Sequence, residues 1–395
     1  MTQLKGNMLI AHGGGPTPVI NSSLRGAIEE AKKHDVIETM YSARFGVEGV
    51  LGEELINLGL WDNTNLERLS HTPASAIGSC RRKLGDSDYP HVLECFKKYN
   101  IRYFFYNGGN DSMDTCHKIH KMAEKAGYDL RVIGIPKTID NDLAGTDHSP
   151  GYGSAARYAA MSAAELAMDA AALPIHVVIL EIMGRNAGWI TAASALFSEH
   201  MPCEHLTYLP ELPFDKQSFL TDVKHAFAKD RGLLVTVSEG IKDAAGTLIG
   251  DTGIKDGFGH PIAGGAAQSL ASLILAETDL KARAEKPGLL GRVSIAHQSR
   301  VDRDEAYQVG AFAVKSAVEG ESGFMVSIQA ERSPTYRSEL SLVPLQNVAN
   351  AEKCFPLEWI TDSGNGIKPE FQAYCLPLIG TKCPDYTSLT KEGGK

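Results

Sequence analysis

No stretch of this sequence approaches the ~18 uninterrupted apolar residues that a membrane-spanning helix needs. The richest run, Ala159 to Ala172, is broken by Glu165 and Asp169. The opening residues, Met1-Thr-Gln-Leu-Lys-Gly-Asn7, lack the apolar centre of a secretory signal, so a soluble, cytoplasmic protein is expected. Basic excess is missing as well: 39 Lys and Arg stand against 48 Asp and Glu, a formal charge of −9. That balance argues against a nucleic-acid or anionic-membrane partner and requires a local basic pocket for any anionic ligand. The seven cysteines include no Cys-x-x-Cys pair, which fits reduced thiols rather than a disulfide framework or a zinc site. There is no low-complexity tract and no internal repeat.

What is present is enough for a large core. A chain of 395 residues, 43% of them hydrophobic, exceeds the roughly 250–300 residues at which single cores stop growing, so two domains are expected. Short apolar runs read as buried strands at Met8–Ala11, Ile101–Tyr106, Arg131–Ile135, Ile175–Ile182, Gly232–Ser238 and Phe324–Ile328. Helical patterns separate them. Strands alternating with helices from end to end predict an α/β fold of two doubly wound domains with mainly parallel sheets. Tyr41 to Leu60 is turn-rich, Lys255 to Gly265 is a glycine-rich loop, and Tyr336 to Lys395 reads as irregular surface and C-terminal packing.

Polar residues gather where the strands end. Pro136-Lys-Thr-Ile-Asp-Asn-Asp142 follows the strand Arg131–Ile135, and open α/β sheets bind ligands beyond their strands' carboxyl ends. Asp140, Asp142, Thr138 and Lys137 supply a general base, a metal or water ligand and a phosphate clamp; a capped turn with solvated charges is the plainer reading. Gly13-Gly-Gly15, between a strand and a helix, is an anion cradle or a tight turn, and it lacks the spacing of the dinucleotide fingerprint and of the nucleotide P-loop. Gly78-Ser-Cys-Arg-Arg-Lys83 concentrates three cations, and Asn107-Gly-Gly-Asn-Asp-Ser112 places polar residues at another strand end, where Asp111 or Ser112 can cap the next helix. His148, in a Gly/Pro/Ser loop, reads as a hydrogen-bonding residue ahead of an acid or base.

Three of these segments, Pro136–Asp142, Gly108-Gly-Asn-Asp-Ser112 and Met183-Gly-Arg-Asn-Ala-Gly-Trp189, resemble in order the signatures of the 6-phosphofructokinases. Weaker likenesses at Gly13–Gly15, Gly78–Arg81, Ser238-Glu-Gly240 and His297-Gln-Ser-Arg300 extend the resemblance to about residue 320. It implies phosphoryl transfer to O1 of D-fructose 6-phosphate with Mg²⁺ as cofactor. Asp140 is then the base, with Arg185 and Lys137 on the transferring group. Gly14 and Arg81 contact phosphate, and Thr138, Ile139, Asp142, Met183, Gly184, Glu239, His297 and Arg300 line the substrates. Arg292 corresponds to an arginine lent by a neighbouring subunit to the sugar phosphate, which implies a homodimer or homotetramer. Residues 1–150 with about 299–350 form the donor domain, and about 151–298 with 351–395 the fructose 6-phosphate domain.

Departures from the family pattern carry information too. Asn110 stands where the family has a magnesium-binding aspartate, and His176 where members commonly have an arginine. Asp111 and Lys137 replace the glycines of ATP-dependent members, as in the pyrophosphate-dependent ones. A carboxylate opposes the α-phosphate of ATP, and an ammonium holds the terminal phosphate of pyrophosphate. The resemblance therefore implies a reversible pyrophosphate-dependent enzyme. An ATP-dependent kinase, a non-catalytic sugar-phosphate-binding subunit and a different acceptor such as sedoheptulose 7-phosphate are the alternatives.

Overall fold

The computed structural model describes residues 4–173, 176–230, 232–255, 261–263, 265–349 and 351–387. The chain divides into two compact units, Met1–Ser154 with Arg292–Lys353, and Ala155–Gly291 with Cys354–Lys395. Strands β1 (Gly6–His12), β2 (Ile37–Ala43), β3 (Leu55–Asn57), β4 (Ile101–Gly108) and β5 (Arg131–Pro136) lie in the first unit. The second holds β6 (His176–Ile182), β7 (Glu204–Tyr208), β8 (Leu233–Ser238), the ribbon of β9 (Asp251–Lys255) and β10 (Pro261–Ala263), and β11 (Lys281–Glu285). Strands β12 (Phe324–Glu331) and β13 (Arg337–Pro344) return to the first.

The first unit's sheet has the order β13-β12-β5-β4-β1-β2-β3. Pairing is parallel from β12 to β2, and antiparallel only where the outer strands β13 and β3 join. Because side chains alternate along a strand, a sheet covered on both faces needs apolar residues at every position. In β1, Met8 and Ile10 enter one core layer while Leu9 and Ala11 enter the other; in β4, Tyr103 and Phe105 oppose Phe104 and Tyr106. Helices Ile20–Ala31 and Arg300–Glu319 supply Leu24, Ile28, Val309 and Val314 to the first layer. Helices Asp88–Lys98 and Asn110–Lys125 supply Val92, Phe96, Met113 and Ile119 to the second. The chain runs outward from β1 on one side and from β4 on the other, so the order reverses between these neighbours. That reversal is where a doubly wound sheet opens a crevice for ligands.

The second unit is built on a four-stranded parallel sheet of order β11-β6-β8-β7. All seven cysteines are thiols, and no described helix is long and apolar enough to cross a membrane.

The C-terminal sixty residues differ from the sequence reading. Strand β13 pairs with β12 over eight residue pairs, and helix Pro369–Ile379 buries Phe371, Tyr374, Cys375 and Leu378. Its Tyr374, with Trp359 and Phe355, packs around Trp189 at centroid separations of 5.1 to 6.0 Å. An aromatic cluster assembled from distant segments has no periodicity within any one of them, which is why the pattern reads as irregular. Tyr41 to Leu60 resolves into the end of β2, a short helix Val47–Leu51 and β3. Much of the loop between Lys255 and Gly265 lies outside the described residues.

An ion network ties the segment after Asp142 to the rest of the first unit. His148 is buried and faces two carboxylates, Nδ1 to Asp147 Oδ1 at 2.9 Å and Nε2 to Glu305 Oε2 at 2.7 Å. Arg332 forks onto Asp147 at 2.6 and 2.9 Å, the Tyr336 hydroxyl donates to Glu305, and the Lys353 ammonium donates to the Asp147 carbonyl at 2.7 Å. Burial alone would push the imidazolium toward neutrality. The charge of Glu305 and the bonds to both carboxylates outweigh it and raise the pKa to about 9. His148 is thus a structural cation. Its folded pKa lies above the ordinary 6.5, so its contribution to stability is complete below pH 6.5 and is lost as pH rises through about 9. Denaturant titrations should show His148→Gln less stable than the wild type by ~3–5 kcal/mol at pH 6.5, because two carboxylates lose a buried partner, with the difference shrinking as pH rises through about 9 on top of the slope that buried Lys137 and Lys353 give both proteins. Equal pH slopes for both proteins would refute the charged assignment.

Candidate active site

At the crevice between β1 and β4 the chain turns through Gly13–Gly15, held by its neighbours on two sides. Gly13 N donates to Asn107 O at 2.9 Å, Gly14 N donates to Cys80 O at 2.8 Å, and Ser79 Oγ donates to Gly14 O at 2.7 Å. These bonds bring the Gly78–Lys83 segment alongside the glycine turn, and with it Arg81. Gly14 has φ +77°, a conformation open to glycine at no cost.

Lys137, the first residue beyond β5, donates its backbone N–H to Gly108 O at 3.1 Å. Its side chain runs back under the glycine turn, where Nζ donates to Gly15 O at 2.7 Å, and only 3% of the residue is exposed. Burial lowers its pKa to about 8 against the opposing pull of Asp140 and Asp142, with Arg292 and Arg81 lowering it further. A β-carbon at Gly15 would lie 3.1 Å from Arg292 Nη1 and 3.7 Å from Arg81 Nη2. One buried ammonium and two guanidiniums therefore converge on two residues of bare backbone, the local basic pocket that the acidic composition requires.

The loop after Lys137 is strapped along its length. Thr138 N donates to Pro150 O, Asp140 N to Thr138 Oγ1, Ser149 N to Asn141 Oδ1, and Lys353 N to Asp142 O, all between 2.8 and 3.2 Å. Asn141 is held at φ +56°, a conformation that costs an L-residue energy and persists where surrounding bonds impose it. Thr138 and Ile139 are buried, and Asp140 and Asp142 half-buried.

Asn110 begins the helix after β4, and its Nδ2 donates to Asp142 Oδ2 at 3.2 Å. The other oxygens of the pair, Asn110 Oδ1 and Asp142 Oδ1, are buried and accept no hydrogen bond. Stranded oxygens on two hydrogen-bonded residues suit a hydrated Mg²⁺, which keeps most of its waters and takes one or two protein oxygens plus substrate phosphate. Among the described residues, no group of three or more His, Cys, Asp or Glu forms a metal cage. Asp111 stands apart from the buried cluster. It is in the first turn of the helix with its side chain 76% exposed, and it pairs with Lys83 at 2.9 Å.

Arg292, His297 and Arg300 belong to the same unit as the glycine turn. Sequence reading puts Arg292 and His297 in the other domain. Arg292 is half-buried, His297 Nδ1 is 3.0 Å from Ser294 Oγ, and Arg300 is exposed and paired with Asp304 at 3.4 Å. The segment is fixed by Gln298, which no motif singles out; its Nε2 donates to Pro18 O at 2.7 Å and Ser70 O at 2.8 Å.

In the second unit, adjacent strands β6 and β8 end at Met183–Arg185 and Glu239–Gly240. Ser238 Oγ donates to Gly184 O, and Glu239 N donates to Ile182 O at 2.9 Å. A β-carbon at Gly240 would overlap the Arg185 carbonyl, so only glycine lets the two loops meet. Arg185 is exposed, Met183 and Glu239 half-buried. His176 is buried at the start of β6, the far end of the strand from Arg185.

The chain is similar to known proteins over most of its length. The family model described as phosphofructokinase matches residues 7–317. A Halomonas elongata protein named pyrophosphate–fructose 6-phosphate 1-phosphotransferase is 40% identical over 94% of this chain and 91% of its own. A sulfofructose kinase from Alkalicoccus urumqiensis is 35% identical over 89% of this chain and 91% of its own. The crystal structure of a pyrophosphate-dependent phosphofructokinase from Nitrosospira multiformis superposes with a TM-score of 0.88 at 37% identity, covering 98% of this chain and 94% of that one. With the family model spanning most of its length and such relatives matching nearly all of it, the chain belongs to the phosphofructokinase family.

Proposed function

We propose that this chain transfers a phosphoryl group reversibly from pyrophosphate to O1 of D-fructose 6-phosphate, giving fructose 1,6-bisphosphate and phosphate. The observation that carries the reading is the buried Lys137 ammonium, anchored on Gly15 O beside Arg81 and Arg292. A cluster of point charge and guanidinium forks suits a compact, highly charged donor. The Asp111 carboxylate, further out on the helix that begins at Asn110, opposes the α-phosphate of a nucleotide. The relatives named for pyrophosphate support the same donor.

In the forward direction the O1–P bond forms as the bridging P–O bond of pyrophosphate breaks. The O1 proton passes to the Asp140 carboxylate, and inorganic phosphate leaves from the side of Lys137. The straps on Thr138, Asn141 and Asp142 keep Asp140 from drifting, so that catalysis rests on position and charge, as phosphoryl transfer generally does. Asn110 and Asp142 would hold the Mg²⁺; when bound, it neutralises charge on the phosphate oxygens. Arg185 is assigned to the charge spread over the transferring group and Glu239 to the sugar hydroxyls, with Met183 and Gly184 beside them. The donor half is the unit holding Gly14, and the sugar-phosphate half the unit holding Glu239. Homo-oligomeric assembly in the cytoplasm completes the proposal.

A donor comparison tests it directly. With saturating fructose 6-phosphate and Mg²⁺ titrated in both arms, product should form from pyrophosphate and stay at background with ATP; the reverse preference would overturn the donor assignment. Replacing Asp140 by Asn should lower kcat by about 10²–10⁴-fold with the melting temperature and both KM values little changed. Turnover near that of the wild type would remove Asp140 as the base.

A further inference from the structure

We propose that His12 is a positioning residue for the phosphoryl transfer: its Nδ1–H fixes Ser75, and through Ser75 the turn that presents Arg81 to pyrophosphate. This rests on the pyrophosphate reading of the same site.

Arg81 is exposed, so its guanidinium is placed by the backbone that carries it more than by packing. That backbone runs from Ser75 to Cys80 and lies beside the end of β1, joined to it by the bonds of Gly14 N to Cys80 O and of Ser79 Oγ to Gly14 O. Its upstream end is a tight turn closed twice over. Gly78 N donates to Ser75 O at 3.2 Å, and Ser75 Oγ donates back to Gly78 O at 2.8 Å.

His12 is the last residue of β1, directly before the glycine turn, and is fully buried. Its Nδ1 lies 2.8 Å from Ser75 Oγ. The hydroxyl has a single proton, which goes to the Gly78 carbonyl, so Ser75 accepts from the ring and Nδ1 carries the hydrogen. Nε2 is then the bare nitrogen. It is buried and makes no hydrogen bond among the described residues, so the ring acts through Nδ1. Burial first, and the Lys137 charge second, lower the imidazole pKa to about 3. A neutral ring supplies the bond without adding another positive charge near Lys137.

The result is a relay from strand to imidazole N–H, to serine hydroxyl, to the carbonyl of Gly78 just upstream of Arg81. Because β1 runs straight on into Gly13–Gly15, the relay sets the turn of Arg81 against the same strand end that sets the glycine turn. The two meet at Gly15, where a β-carbon would stand 3.7 Å from Arg81 Nη2. Small errors of placement at a phosphate-binding group are costly in rate. The chain before the turn has its own anchor, since the Asn21 amide donates to Thr72 O and Ala74 O and accepts from Ala76 N. Losing the His12 bond should therefore loosen the turn and leave the unit folded.

Asparagine and glutamine tell the two ring nitrogens apart, because the Asn amide nitrogen is as many bonds from the backbone as Nδ1 and the Gln amide nitrogen is nearer the reach of Nε2. His12→Asn should keep the KM for pyrophosphate within about threefold of the wild type. His12→Gln should raise it about tenfold, the scale of a lost buried hydrogen bond, with the KM for fructose 6-phosphate within about twofold in both. Ser75→Ala should match His12→Gln, and the double variant should be no worse than Ser75→Ala alone, since both changes break one relay. A wild-type KM for pyrophosphate in His12→Gln, equal losses in the two amide variants, or additive losses in the double variant would overturn the inference. If His12→Gln fails to melt cooperatively, Ser75→Ala decides, and an unchanged KM for pyrophosphate there would overturn it. Wild-type protein that does not use pyrophosphate would instead remove the reading beneath, so the two failures are distinct.

Discussion

The hydrogen bond from the Lys137 ammonium to the Gly15 carbonyl is the contact on which the first unit's chemistry depends. Its two ends come from either side of the sheet reversal: Gly15 follows β1, and Lys137 follows β5, one strand beyond β4. Closing it fixes the separation of two strand ends and leaves a positive charge in a place that water barely reaches. A buried ammonium without a counter-charge is costly. Here a single carbonyl and the nearby fields of Asp140 and Asp142 hold it, with a pKa already down to about 8. An anion seated beside the ammonium would offset that cost.

The ion network beyond Asp142 anchors the far end of the same loop. Asp147, His148, Glu305, Arg332, Tyr336 and Lys353 come from the loop after β5, a helix and the C-terminal part of the unit. Through Lys353 N and Asp142 O they reach the residue that shares a hydrogen bond with Asn110. The left-handed Asn141 sits between Asp140 and this anchored end. A loop with one unfavourable dihedral keeps its shape only if both flanks are pinned, and here one flank is the parallel bridge at Thr138 and the other the network.

Much of the scaffold was legible because parallel strands buried on both faces announce themselves as apolar runs. Arg131–Ile135, Ile101–Tyr106 and Met8–Ala11 are three such runs, and each ends at residues that line the site. Polar residues just past such a run fall at the sheet's carboxyl edge by geometry alone, so Lys137, Asp140, Asn110 and Gly14 could be placed before any coordinates. Strand β13 lies at the sheet's edge with only one strand neighbour, and its burial is partial along its length; a half-buried edge gives little periodic signal. Gln298 and the pairing of His148 with Glu305 escaped for a different reason. Both depend on contacts between residues more than a hundred positions apart, and no local spacing encodes those.

Arg292 marks the limit most clearly. Its spacing from His297 was legible, but spacing along a chain says nothing of which backbone a long, flexible side chain will lie against. The deciding facts are that the glycine turn has no β-carbon to keep a guanidinium away, and that Gln298 ties the following segment to Pro18. Glycine at position 15 leaves the backbone of the turn bare and admits the guanidinium, and a larger side chain there would push Arg292 away from the turn.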